Sequence, residues 1–215
     1  MSRASSSRQL SVERFTAFVD AVVAIAMTLL ILPLMEAVSD ASGEHLSTLE
    51  FLADHRGQLI SFALSFALIA MFWMEHHRVY GQVRSVTAPL VVINVAWLFT
   101  IVWLPVATAM VGQMPFDSAQ AAVYIGSLIA TQLLTLTAKA YLLRHPQMHE
   151  WGKERMRSGI IGDTASTLLF GVALALAVTV PGIAYASLLL TALTWPVSLL
   201  IRRILRRDTP ARTRG

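Results

Sequence analysis

The sequence predicts an all-α integral membrane protein with six transmembrane helices and both termini in the cytoplasm. Three observations carry this. The 215 residues are 55% hydrophobic and only 14% charged, with a mean hydropathy of +0.61, whereas a soluble domain holds about 25% charged residues. The apolar residues fall into long runs, and roughly 20 such residues cross a bilayer. Lys and Arg collect in every second segment between those runs, which is the asymmetry that orients a membrane protein.

The first run covers 15–38 and begins in "RFTAFVDAVVAIAMTLLILPL". It is too long for the apolar part of a signal peptide and reads as a retained span. The second covers 59–77, the third 89–111, the fourth 121–143, the fifth 160–180 and the sixth 183–201. Pro181 and Gly182 separate the last two, a strong helix stop. The predicted organisation is an N-terminal segment at 1–13, a six-helix domain at 14–201 and a basic tail at 202–215.

The net charge of +4 and pI near 10.0 raise nucleic acid as a partner. The placement of the cations argues otherwise. Arg3, Arg8 and Arg14 precede the first span, Arg78 and Arg84 follow the second, and Arg144, Lys153, Arg155 and Arg157 follow the fourth. The tail "IRRILRRDTPARTRG" follows the sixth. The intervening segments hold Arg56 beside several acids, and Asp117 with no cation. The basic segments therefore mark the cytoplasmic side and face anionic lipid. No Cys is present, which excludes disulfides and thiolate chemistry.

With that orientation, Asp20, Trp73, His76, His77 and Asn94 fall at similar depth near the cytoplasmic surface. An ionisable group in a membrane costs at least about 2.5–3.5 kcal/mol unless satisfied, so partners are expected within this layer. Arg14 and Asp20 lie six residues apart and roughly 120° out of phase. Each is expected to pair across helices rather than with the other. The layer has three readings: a structural clasp, a proton relay or pH sensor through His76 or His77, and a metal site joining them to His145 and His149. Lys139, in the fourth span, is expected to snorkel or to pair with Asp163.

Past Asp20, Ile25, Leu29 and Leu32 share one helical face, bordered by Thr28. Asp20 points about 140° away from Ile25. Ala21, Ala24 and Ala26 permit close helix approach. Spacing alone makes this stripe a packing or lipid-facing surface, not a pore.

"RFTAFVDAVVAIAMTLLIL" resembles the signature of the transmembrane protein 175 potassium-channel family, Arg-x-x-x-Phe-Ser-Asp before an apolar helix. The match falls on Arg14, Phe18 and Asp20, with Val19 in place of the Ser. "FWMEHHRVY" resembles the family's Trp-x-x-His-His segment, and "VINVAWLFTIVWLP" its third helix. The resemblance implies a homotetramer with the first helix lining a central pore. It maps the hydrophobic constriction to Ile25, with Leu29 and Leu32 further along, and an ion-coordinating role to Thr28. Arg14, Phe18, Asp20, Trp73, His76, His77 and Asn94 map to a structural network on the cytoplasmic side. The implied activity is a leak of potassium, modestly favoured over sodium, through a multi-pass protein of the cell (plasma) membrane. The implied partners are further copies of the chain, lipid and monovalent cations. No cofactor and no resident metal are implied, and potassium is only the permeant ion. Val19 lacks the hydroxyl of the family Ser, and Pro33 should kink the first helix.

Three other classes compete. A proton-coupled secondary transporter or proton-leak pathway needs polar groups near the bilayer midplane, where the first span is apolar. A membrane enzyme needs convergent acid–base groups around a cavity, and no nucleophile accompanies the histidines. A scaffold needs neither. An enzyme is not expected.

Overall fold

The computed structural model describes residues 11–43, 46–115 and 117–180. The predicted sixth span, the basic tail and most of the N-terminal segment lie outside the described residues. Helix α1 is Val12–Leu29, α2 Leu32–Gly43, α3 Thr48–Asp54 and α4 Arg56–Tyr80. Helix α5 is Ala88–Gln113, α6 Ser118–Arg144 and α7 Lys153–Thr179. Among the described residues, five segments are long and apolar enough to cross a membrane: Val12–Gly43, α4, α5, α6 and α7. The chain is a multi-pass membrane protein.

Ser11 opens α1 by accepting a hydrogen bond from the Arg14 amide at 3.3 Å, which satisfies one free donor of the first turn. The first span is not one continuous helix. It breaks at Leu30 and Ile31, just before Pro33 in the first turn of α2. Pro33 has no amide hydrogen, so the ladder cannot run through it. The chain tightens instead, with the Ile31 amide on the Thr28 carbonyl at 3.3 Å.

The segment between α2 and α4, read from sequence as a polar loop, contains α3. Ser47 and Glu50 cap it reciprocally: the Ser47 hydroxyl accepts from the Glu50 amide, and the Glu50 carboxylate accepts from the Ser47 amide at 2.8 Å. Helix α7 begins seven residues before the predicted fifth span, so Lys153, Arg155 and Arg157 belong to its first turns. Arg155 lies over the Trp151 ring, 4.9 Å from its centroid.

Helix α5 is the centre of the described bundle. Helices α1, α4 and α6 pack around it, and α7 packs on α6. Its apolar residues are spread around the whole circumference: Leu90, Trp97, Ile101 and Leu104 are buried in the bundle, while Val92, Val95 and Phe99 form an exposed apolar face, as expected of a membrane helix that also meets lipid. Hydroxyl pairs add specificity inside this core. Ser65 of α4 meets Tyr124 of α6 at 2.9 Å and Thr108 of α5 at 2.8 Å. At one end of the bundle the α4–α5 and α6–α7 connections clip together. Val83 and His149 form an antiparallel bridge, the Arg84 amide donates to the Met148 carbonyl at 2.7 Å, and Arg84 pairs with Glu150 at 2.8 Å.

Candidate functional site

Helix α1 divides its residues between two faces. Phe15, Val19, Val23 and Ala26 are buried against the bundle, followed by Leu30 just past its end. Val19 is fully buried in this apolar seam. Arg14, Phe18, Ala21, Ile25, Thr28 and Leu29 are exposed on the other side, followed by Leu32 at the start of α2. Ile25 is 59% exposed, the highest value among the large apolar residues of α1. No described helix covers this stripe.

Thr28 has a specific arrangement. Its hydroxyl donates to the Ile25 carbonyl at 2.7 Å. The proton is thereby turned into the helix, and the oxygen lone pairs remain directed outward, as a cation would need.

Asp20 looks away from the stripe, as its spacing predicts. It is half-buried, and its Oδ1 accepts from Trp73 Nε1 at 2.8 Å. The Trp73 and His77 rings lie 5.8 Å apart, with His77 exposed. His76 is buried and shares a 2.7 Å hydrogen bond with Asn94 Oδ1. Its ring is stacked between Tyr80 at 4.1 Å and Trp97 at 4.7 Å.

The predicted polar layer thus exists as two hydrogen-bonded pairs, Asp20–Trp73 and His76–Asn94, rather than one linked group. The acid's partner is an indole, not an imidazole. Arg14 departs further from expectation. It lies on the exposed face with Phe18 and Ile25, where no described side chain bonds it. The cause is helical phase: eleven residues bring Arg14 to within about 20° of Ile25.

The metal reading finds no support in the geometry. His145 Nδ1 is bonded to the Tyr141 carbonyl at 2.8 Å and His149 Nε2 to the Leu142 carbonyl at 3.0 Å. No cluster of three or more His, Cys, Asp or Glu side chains able to hold a metal occurs among the described residues.

One ionic cluster was only half legible. Lys139 is 2% exposed and pairs with Asp163 of α7, so it does not snorkel. It also pairs with Glu75 of α4 at 2.5 Å, and Glu75 pairs with Arg78 at 2.5 Å. Glu75 stands between Trp73 and His76, and it is the acid that the sequence reading passed over. Three positions within one turn of α4 therefore reach α1 through Trp73, α6 through Glu75 and α5 through His76.

Residues 14–105 match the family model described as endosomal/lysosomal potassium channel TMEM175. Over that segment the chain resembles the TMEM175 family. The segment holds every residue of the stripe and of the two polar pairs, while Lys139 and Asp163 lie beyond it. A potassium channel of a Chryseobacterium species is 24% identical over 182 residues, covering 85% of this chain and 91% of that relative. A potassium channel of Streptomyces collinus is 32% identical, over 46% of this chain and 47% of its own length. The endosomal/lysosomal proton channel TMEM175 of Gallus gallus is 38% identical over 106 residues, which span only 21% of that protein. The aligned part is thus about half of the Streptomyces relative and a fifth of the chicken one. A crystal structure of a lysosomal potassium-selective channel TMEM175 homologue from Chamaesiphon minutus shares the fold. Its TM-score is 0.62 at 22% identity, covering 93% of this chain and 98% of that one.

Proposed function

We propose that the chain is one subunit of a homotetrameric cation channel of the cell membrane, with α1 lining the pore. The observation that carries this is the stripe from Arg14 to Leu32, uncovered along a helix whose opposite face is fully packed. Four such stripes around an axis would bring four Ile25 side chains together. A ring of that kind excludes water when narrow and gates by dewetting. Thr28 lies about one turn further along, and its outward lone pairs would replace part of an ion's hydration. The expected result is a leak that modestly favours potassium over sodium. Arg14 would meet a neighbouring copy at the cytoplasmic mouth.

A second reading is proton permeation along the same path. It is favoured by the vertebrate relatives, which match about half of this chain and are named proton channels. A proton needs only a transient file of water through the Ile25 ring.

The test is ion flux from purified protein in liposomes under potassium, sodium and proton gradients, for wild type and Ile25→Asn. Potassium-favouring flux that rises, or loses selectivity, in the variant supports the channel. Flux of protons alone moves the assignment to the second reading. Absence of any flux from folded, inserted protein sinks both.

A further inference from the structure

Among the described residues, three buried side-chain polar atoms have no hydrogen-bond partner: Gln58 Oε1, Tyr80 Oη and Asn94 Nδ2. Buried polar groups are nearly always satisfied, so each requires an account. Gln58 sits at the far end of α4. Tyr80 and Asn94 instead line one small cavity between α4, α5 and α6, together with His76, Trp97 and Thr135. Two of the three orphaned atoms therefore converge on a single space.

We propose that this cavity is an internal hydration site that holds one ordered water between Asn94 Nδ2 and Tyr80 Oη. Its free volume for a water centre is about 10 Å³. One water needs at least about 10–15 Å³ by that measure, so the space takes a single water and neither a second one nor a hydrated ion. Polar partners are sufficient. Asn94 Nδ2 donates to the water, and Tyr80 Oη either donates or accepts. Thr135 Oγ1 accepts from Trp97 Nε1 and donates to the Thr131 carbonyl, which leaves one lone pair for the water. An internal water makes two to four such bonds.

The site does not depend on which way the Asn94 amide is turned. With the amide reversed, Oδ1 would accept from the water and Nδ2 would donate to His76. In either orientation the water completes the Asn94 bonding and fixes the amide that holds His76. It also joins Tyr80, whose ring stacks on His76 and lies 5.7 Å from Phe15 of α1. The hydration site thus sits behind the polar layer, on the side away from the exposed stripe.

A wet and a dry cavity give opposite signs for one substitution. Tyr80→Phe keeps the ring and both aromatic contacts and removes only the hydroxyl. In a dry cavity that deletes an unsatisfied polar atom and leaves Tm unchanged or raised. In a wet cavity it strips a bond from the water, and Tm falls by about 2–4 °C. The experiment pairs this melting comparison on the full chain with a map of the wild type that resolves internal waters. A peak within hydrogen-bond reach of both atoms, with a lowered Tm in the variant, is the expected result. A map showing other ordered internal waters but none here overturns the proposal. So does a Tyr80→Phe variant as stable as the wild type or more so.

Discussion

Trp73 Nε1 donates to Asp20 Oδ1 at 2.8 Å, and this single bond ties the helix bearing the exposed stripe to the helix bearing both histidines. Its acceptor is a carboxylate at membrane depth, so the bond is charge-assisted and replaces hydration that Asp20 would otherwise lose. The same helix α4 grips α5 three residues later through His76. The N-terminal half of α1 is thus held by side chains whose own positions are fixed.

Trp73→Phe should destabilise the protein by about 1.5–3 kcal/mol, the usual worth of a hydrogen bond to a charged group. Asp20→Asn keeps an acceptor for the indole and should cost less. A double-mutant cycle on thermal unfolding in lipid nanodiscs measures the pair. Strict additivity of Trp73→Phe and Asp20→Leu would mean that the two side chains do not interact energetically.

Thr28→Val separates the two roles of that hydroxyl. The bond to the Ile25 carbonyl is redundant for helix stability, since such back-bonding contributes little or slightly destabilises. Stability should therefore stay within about 0.5 kcal/mol. If Thr28 oxygens meet permeating ions, potassium-over-sodium preference in liposome flux should fall while total flux persists. An unchanged preference would remove Thr28 from the ion path.

Much of this arrangement was legible before the fold was known. Apolar runs gave the α4, α5 and α6 spans to within a few residues, because bilayer thickness sets their length. Pro33 announced the α1–α2 break, since a missing amide hydrogen acts locally. Other features were hidden for physical reasons. The "STLE" sequence of Ser47 to Glu50 is a readable capping signal, but it stood in a polar stretch taken for a loop. Lys153 to Arg157 were read as loop because charge was taken to end the helix, whereas a helix can extend past the bilayer into water. The period of Ile25, Leu29 and Leu32 showed one face, but periodicity does not say what covers it. Nothing in the sequence pointed to a partner for Glu75, and only the crossing of α6 brought Lys139 to it.

Glu50 gives a pH-dependent prediction outside the membrane spans. Hydrogen bonds from the Ser47 side chain and amide hold its carboxyl below the ordinary glutamate value. A lowered folded pKa favours folding above the unfolded value, and that contribution fades as pH falls through the lowered one. Amide hydrogen exchange across α3, corrected for intrinsic rates, should therefore lose protection only in the acidic range. In Glu50→Ala the protection should be weaker at neutral pH and no longer respond to acidification. Equal protection in both proteins at neutral pH would exclude the cap as the source.

Lys139 supplies the sharpest stability contrast. It is a buried ammonium between Glu75 and Asp163, with Arg78 completing the charge balance. Lys139→Met alone leaves Asp163, itself buried, without that cation, and breaking such a pair costs about 3–5 kcal/mol. Neutralising all three groups, as Lys139→Met with Glu75→Gln and Asp163→Asn, removes the buried charge together with its desolvation cost. The triple variant should therefore be more stable than Lys139→Met, despite carrying two further substitutions. Thermal unfolding of both variants against wild type is the measurement. A triple variant that melts below the single one would show that the carboxylates are stabilised by groups other than Lys139. In that case the cluster would not be the lock between α4, α6 and α7 that its geometry describes.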